Sequence, residues 1–389
     1  MFLFCSLLAR AQKGGITTAA SYFTQGKLDK AKEIVDAIVK DEDGANMIKA
    51  QFLRGQVYQA IFESQNADYK KLSSNPLDVA WKAFKEVIRL DRRRRFEKEL
   101  RTQFYNLLID FMNQGDAHFR NRNPKEALEY FKWALEINQS PYGTNKVDTM
   151  VIYNAAVSAQ QAGMWTEAVT YYKQALELNY KPLRTYSMLA KILLEQGRSN
   201  EEINEGEKME KEGVAYLLEG YRKFPGDQYL LVELVNYYLY ANELDSVLLY
   251  IEKAIELNPG NAEYYRVEGT VYEQLGNDEM AESRYLKALE LDSTDFISQY
   301  NMGNIRLNRV IKEHEALLAL NDLITYNMKI GEVMAQYEAV IPLFERALEL
   351  KPNDRNTCST LSQLYFRLRN KPNSSYLYKY EQMQQILEN

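Results

Sequence analysis

The sequence predicts an all-α fold, a solenoid of about nine helix-turn-helix units stacked side by side. Two observations predict it. The first is a fixed period: Ala254 and Ala288, Gly269 and Gly303, and Pro225 and Pro259 each stand 34 residues apart. A period in this range marks units too small to bury their own apolar faces, which gain a core only by stacking. The second is composition. Nine Pro and eighteen Gly are few for 389 residues, and the apolar share of 46% is ordinary for a folded chain. Strong helix formers such as Ala, Leu, Glu, Lys and Gln are many.

Taken in chain order, the elements begin with Phe2–Leu8, a short apolar run. Ala9-Arg10-Ala11 follows, with small residues at the two positions a signal peptidase reads, and Gln12 to Gly15 turn polar. Residues 1–11 read as the remnant of a secretory signal peptide, so export is expected; a frayed first helix of a cytosolic protein is the alternative. Phe4 stands before Cys5 where a lipoprotein box needs a small residue. No other run is long and apolar enough to span a bilayer.

Residues 12–225 carry the N-terminal repeat units and 226–389 the C-terminal ones. Ala19, Tyr22, Gly26, Ala31, Val35 and Ile38 form the first unit. Gly55 and Tyr58 open a second, completed by Ala80, Phe84 and Val87 after extra residues near 63–78. Ala127, Phe131 and Ala134 mark the third, and Ala168, Tyr172 and Ala175 the fourth. The fifth gains a Glu- and Lys-rich stretch near 198–212. The sixth carries Leu231, Leu234, Tyr238, Ile251, Ala254 and Pro259. The seventh is the most regular, with Tyr265, Gly269, Tyr272, Gly276, Ala281, Tyr285 and Ala288. The eighth holds Gly303, Phe344, Ala347 and Pro352 around an insertion near 308–333. In that insertion Val310, Leu317, Leu318, Leu320, Leu323 and Ile324 keep helical spacing, which predicts a long helical hairpin with its bend near Asn321–Lys329. The last unit keeps Leu361, Tyr365 and Tyr378 but has Ser374 and Glu381 in place of small residues, as suits a capping end.

These residues resemble the tetratricopeptide repeat (TPR) family, which pairs two antiparallel helices in 34 residues. The pattern matches its small residues at positions 8, 20 and 27, its aromatic at 24 and its frequent Pro at 32. The resemblance implies a right-handed α-α superhelix whose first helices line a concave groove through positions 2, 5, 9 and 12. Carried over unit by unit, the groove set is Met150, Tyr153, Tyr229, Asn236, Arg266, Tyr300 and Asn304, beside Arg184 and Lys191. Aromatic, amide and Arg side chains suit an extended or helical peptide. The implied role is a non-catalytic scaffold or assembly factor for a protein or peptide partner. The pattern also resembles exported multi-TPR proteins of Gram-negative bacteria, which places it in the periplasm. A cytosolic adaptor or chaperone cofactor is the alternative. The family's carboxylate clamp is expected absent: from the seventh unit its positions hold Arg266, Thr270, Asn301, Asn356 and Thr360, without the two cations of the third unit.

Charge and chemistry narrow the role. A net charge of −6 argues against nucleic-acid binding, and the groove positions Tyr153, Tyr229, Val232, Glu263 and Tyr300 are not basic as an RNA-binding helical repeat requires. The run Arg92-Arg93-Arg94-Arg95 is the local exception, read as a solvated face or as a dock for an acidic partner or membrane surface. No Cys or His spacing suggests a metal or cofactor site, and Cys358 falls on a packing face. His118 falls where a packing aromatic is usual, and His314 is expected to be exposed. No positioned base or phosphate loop accompanies a nucleophile. Glu177, Glu256, Glu290 and Glu349 recur at helix ends and read as surface, so no enzyme is expected.

Overall fold

The computed structural model describes residues 14–143 and 148–388; the expected leader at 1–11 lies outside the described residues. Among the described residues there are twenty helices and no strand. The chain divides into two compact units, Met1–Ile192 and Leu193–Asn389.

The first unit contains α1 (14–24), α2 (Leu28–Val39), α3 (Glu42–Ala45), α4 (Ile48–Glu63) and α5 (Ala67–Lys70). It continues through α6 (Pro76–Leu90), α7 (Glu97–Arg120), α8 (Pro124–Gln139), α9 (Thr149–Gln161) and α10 (Trp165–Glu177). It ends inside α11 (Pro182–Arg198). Apolar residues at spacings of three and four give the longer helices a buried stripe. In α6 the stripe is Leu77, Ala80, Trp81, Phe84 and Val87, all at most 1% exposed. The extra residues near 63–78 form the one-turn α5 and its flanking turns.

The second unit takes the end of α11, then α12 (Ile203–Lys223), α13 (Gln228–Tyr240), α14 (Leu244–Leu257), α15 (Ala262–Gln274) and α16 (Asp278–Leu291). It closes with α17 (Phe296–Ala319), α18 (Leu323–Leu350), α19 (Arg355–Leu368) and α20 (Tyr376–Glu388). The added residues near 198–212 lengthen α12, where Lys208–Glu205 and Lys211–Glu207 pairs support the extra turns.

Short side chains set both ends of the repeat helices. Asp227, Asn261, Asp295 and Asp354 each accept a backbone N–H at the start of α13, α15, α17 and α19, satisfying donors the helix cannot. The turn after the first helix of a pair needs a left-handed residue. Gly276 takes it at φ +74° and Asn242, in the corresponding place, at φ +56°.

The inserted hairpin is two lengthened helices, α17 of 24 and α18 of 28 residues. Its bend is tighter and earlier than the sequence suggested, at Leu320–Asp322. Asp322 explains this, because its carboxylate accepts from the Ile324 N–H (3.0 Å) and starts α18 at once. The inner part of the hairpin belongs to the core: Val310, Leu317, Val333 and Tyr337 share a buried cluster with Cys358, Leu361, Tyr365 and Leu368. Its end does not. Leu318, Leu320, Leu323, Ile324 and Met328 are 54–74% exposed.

Two details differ from expectation. His314 is half-buried, because the hairpin base packs on α19. Its Nδ1 receives Arg367 Nη1 at 3.1 Å and lies 3.3 Å from the Tyr337 hydroxyl. Arginine only donates, so the proton sits on Nε2. Burial and the Arg367 charge hold the ring below the usual histidine range. In α20 the packing aromatic is Tyr376, stacked on Tyr365 at 5.8 Å, while Tyr378 is 63% exposed. The stripe Tyr376, Tyr380 and Met383 keeps helical spacing and turns Tyr378 away.

Candidate protein-binding face

In each repeat pair the buried faces of both helices are spent on packing. What remains for a ligand is the opposite face of the first helix. On α9 that face shows Met150 at 43% exposure. On α13 it shows Tyr229, also 43%, with Asn236 exposed two turns on. On α17 it shows Ile297 at 43%, followed by the half-buried Tyr300 and Asn304. Glu233 and Glu195 lie near the Tyr229 phenol, which burial, chiefly, and these carboxylates push above the usual tyrosine range.

Arg266 is half-buried and already engaged. It pairs with Glu263 at 2.8 Å and lies 3.5 Å from Asp295, the residue that caps α17. Tyr300 stacks on Phe296 at 5.8 Å and meets the Phe344 ring edge-on at 5.7 Å. Its ring is therefore fixed before any partner arrives, which lowers the entropy cost of contact. Tyr153 is buried at 4% exposure between Tyr172 and Tyr180, with Lys181 Nζ 4.8 Å from its ring centre. Burial raises its phenol's pKa, the Arg184 charge opposing, and the hydroxyl has no hydrogen-bond partner. It is packed among these rings rather than set on the exposed face.

Two exposed residues of the same kind were not anticipated. Tyr105 and Ile109 on α7 are 61% and 43% exposed, and continue with Met112, Asp116 and Phe119 at spacings of four and three. The signal was present: α7 runs 24 residues, and extending its pattern backwards from His118 reaches both. His118 itself stacks on Tyr130 at 5.3 Å. Among the described residues no group of three or more His, Cys, Asp or Glu side chains could hold a metal ion. No described helix is long and apolar enough to cross a membrane.

Three tetratricopeptide-repeat family models match the chain, over residues 106–181, 153–226 and 262–295. The chain is a multi-TPR protein. Its fold is an all-α TPR solenoid, and such arrays are in general protein-interaction scaffolds that do no chemistry. No curated protein sequence matches it. Among solved structures, the C-terminal part of a TPR repeat-containing protein from Cytophaga hutchinsonii aligns over 71% of this chain and 93% of its own. That pair is 12% identical, with a TM-score of 0.49. TTC0263, a thermophilic TPR protein of Thermus thermophilus, covers 51% of this chain and 99% of itself at 20% identity, with a TM-score of 0.32. YrrB, described as a TPR protein with an unusual peptide-binding site, covers 49% and 89% at 18% identity, with a TM-score of 0.38. Likeness this distant transfers no role to this TPR chain.

Proposed function

We propose that this TPR protein is a scaffold or assembly factor that holds a protein or peptide partner against the open faces of its first helices. One observation carries the reading. The second position of three different repeat units holds a large apolar side chain, Met150, Tyr229 or Ile297, left 43% exposed in each case. Single exposed apolar residues are ordinary; the same repeat position left open three times, once in the first compact unit and twice in the second, is a feature the period maintains. Asn236 and Asn304 stand near them to bond a partner's backbone groups. Tyr229 and the pre-ordered Tyr300 would be the anchors, since a few aromatic contacts carry most of an interface's energy.

Site-specific photo-crosslinking in the native cells tests this. A benzophenone side chain at Tyr229 or at Ile297 should capture a discrete protein adduct. One at Leu249, 50% exposed on the second helix α14, should not. Equal labelling from all three positions, or none from any, removes the groove reading.

We place the role in the cell envelope, in the periplasm, on the strength of the apolar run Phe2–Leu8 and the Ala9-Arg10-Ala11 site. Mass spectrometry of the protein from its own cells should find Gln12 at the N-terminus. An intact Met1 there would return the protein to the cytosol as an adaptor.

A further inference from the structure

The helix α7 is 24 residues long where α9, α13 and α15 have 13. Its early turns carry Arg101, Phe104, Tyr105 and Leu108 against the residues that follow α8. With Ile137, Tyr142 and Gly143 they enclose a cavity of about 210 Å³. The walls are fixed. Arg101 donates to the carbonyls of Pro141 (3.2 Å) and Gly143 (3.4 Å) and pairs with Glu97 at 3.0 Å. Phe104 meets Tyr142 edge-to-face at 6.1 Å. One side, Tyr105, is 61% exposed. Ligand and cofactor sites run to about 300–1,000 Å³, so this cavity fits a single apolar side chain and not a cofactor.

The turn that leads into α7 is Arg92-Arg93-Arg94-Arg95. All four are exposed, and none makes an ion pair or a side-chain hydrogen bond among the described residues. The adjacent carboxylate cannot serve them. Asp91 is 2% exposed, and its Oδ2 accepts the Phe96 N–H at 2.7 Å. The Asp91 carbonyl accepts the Arg94 N–H at 2.9 Å, and Arg94 is held in the left-handed region at φ +52°. The turn is thus built from backbone bonds and leaves its guanidinium groups free. Glu97, two residues beyond the turn, pairs at 3.0 Å with Arg101 of the cavity wall, which sets the turn beside the cavity. Other arginines of this chain do find carboxylates, as in Arg54–Asp36 and Arg306–Glu282. Four unpaired arginines in a row repel one another and repay that cost only when an anion arrives.

We propose that this edge docks an acidic segment of a protein partner, whose carboxylates meet Arg92–Arg95 while one apolar side chain enters the cavity beside Tyr105. Guanidinium forks match carboxylates in pairs, and these four are exposed cations on a chain of net charge −6. A nucleic acid would need a basic field far wider than one turn. A membrane surface would meet a convex apolar insertion, whereas this cavity is concave and receives one. Tyr105 lies on the open face of α7 described above, but the four arginines belong to no such face, so the arginine variant tests this proposal separately from the groove reading.

Fluorescence anisotropy with the full chain at physiological salt tests it. The probe is a dye-labelled decapeptide of Asp and Glu with one central Leu. It should bind; a Lys counterpart should not, and a peptide with Gly for Leu should bind several-fold more weakly. The triple variant Arg92→Gln, Arg93→Gln, Arg95→Gln should weaken the acidic peptide by about tenfold or more. Tyr105→Ala, an exposed substitution that leaves the helical circular dichroism unchanged, should weaken the Leu peptide and not the Gly peptide. Binding of the Lys peptide as tight as the acidic one, or a triple variant that binds normally, overturns the proposal. So does a uridine oligonucleotide or a phosphatidylserine vesicle that binds through the arginines when the peptide does not.

Discussion

In α15–α16, helices of 13 and 14 residues meet where Gly269 admits the ring of Tyr285; in α17–α18, helices of 24 and 28 residues meet where Gly303 admits the ring of Phe344. A Cβ on Gly269 would fall 2.8 Å from the Tyr285 ring, and one on Gly303 would fall 3.0 Å from the Phe344 ring. Both rings are fully buried. The close contact is held constant while helix length doubles. What repeats in this chain is therefore the approach of two backbones at one point, and turns added beyond that point leave it unchanged.

Substituting the two glycines is the strongest way to break that equivalence. Gly269→Val should cost about 2–3 kcal/mol, since a fully buried ring has nowhere to retreat and overpacking costs are of that size. Gly303→Val should cost slightly less, as its contact is a little wider. Denaturant melting followed by circular dichroism measures both. A harmless Gly303→Val beside a damaging Gly269→Val would show that the lengthened pair is held together by its extra turns instead.

The close contacts explain how much was legible beforehand. Gly269, Tyr285, Gly303 and Phe344 are read directly from the period, because only one residue size works at each place. The number of repeat pairs follows from the same signal. The hairpin's bend was placed too late because the cap at Asp322 looks like any other polar residue until its carboxylate is seen on the Ile324 N–H. His314 looked exposed because its partners, Tyr337 and Arg367, come from α18 and α19 and no local pattern announces them. On the candidate faces the period identified which positions stay open, as at Met150, Tyr229 and Asn236. It could not reveal that a large ring such as Tyr153 turns under its neighbours Tyr172 and Tyr180. The Arg92–Arg95 run was visible, but its cavity depends on Tyr142 and Gly143 arriving from the loop after α8.

The two pairs also differ in an acid each carries, fully buried in one and partly buried in the other, with smaller and opposite consequences. Glu268 of α15 is 1% exposed; its Oε2 is 3.1 Å from Arg284 Nε, but neither oxygen has a hydrogen bond. Burial pushes its pKa up; Glu252 adds to this, and Arg284 offsets it only in part. An acid raised in the folded state contributes stability below its unfolded pKa, near 4.5, and loses it as pH rises through the folded value. Glu268→Gln should therefore gain about 1 kcal/mol on the parent between about pH 4 and pH 8. Glu345 of α18 is the reverse. Burial again pushes up, but Lys379 Nζ at 2.6 Å and the Tyr365 hydroxyl at 2.8 Å outweigh it and hold the acid below its usual range. Its contribution is present above the unfolded pKa and fades as pH falls. Glu345→Gln should lose stability at neutral pH and recover toward the parent in acid. The pair is more than a third exposed, so the loss should stay within about 1 kcal/mol. Thermal midpoints across pH decide the matter, and parallel curves for the two variants would erase the distinction.

The smallest effect is expected where the longer pair outgrows the repeat. Leu317 is 5% exposed and sits in the cluster with α19, while Leu318 beside it is 54% exposed. From there to Met328 the large apolar side chains other than Tyr326 face water, and the single charge among residues 318–328, Asp322, is spent on capping α18. Substituting surface residues moves stability by about 0.5 kcal/mol or less when no cap or buried contact is lost. Leu323→Ser with Ile324→Ser should therefore leave the melting midpoint where it is, even though two large apolar groups are removed. The substitutions spare the Asp322 carboxylate and the Ile324 backbone N–H it holds, so a drop in midpoint could not be blamed on the cap. Such a drop would mean that the end of the hairpin is covered in the folded protein in solution, and that the extra turns of α17 and α18 belong to the packing after all.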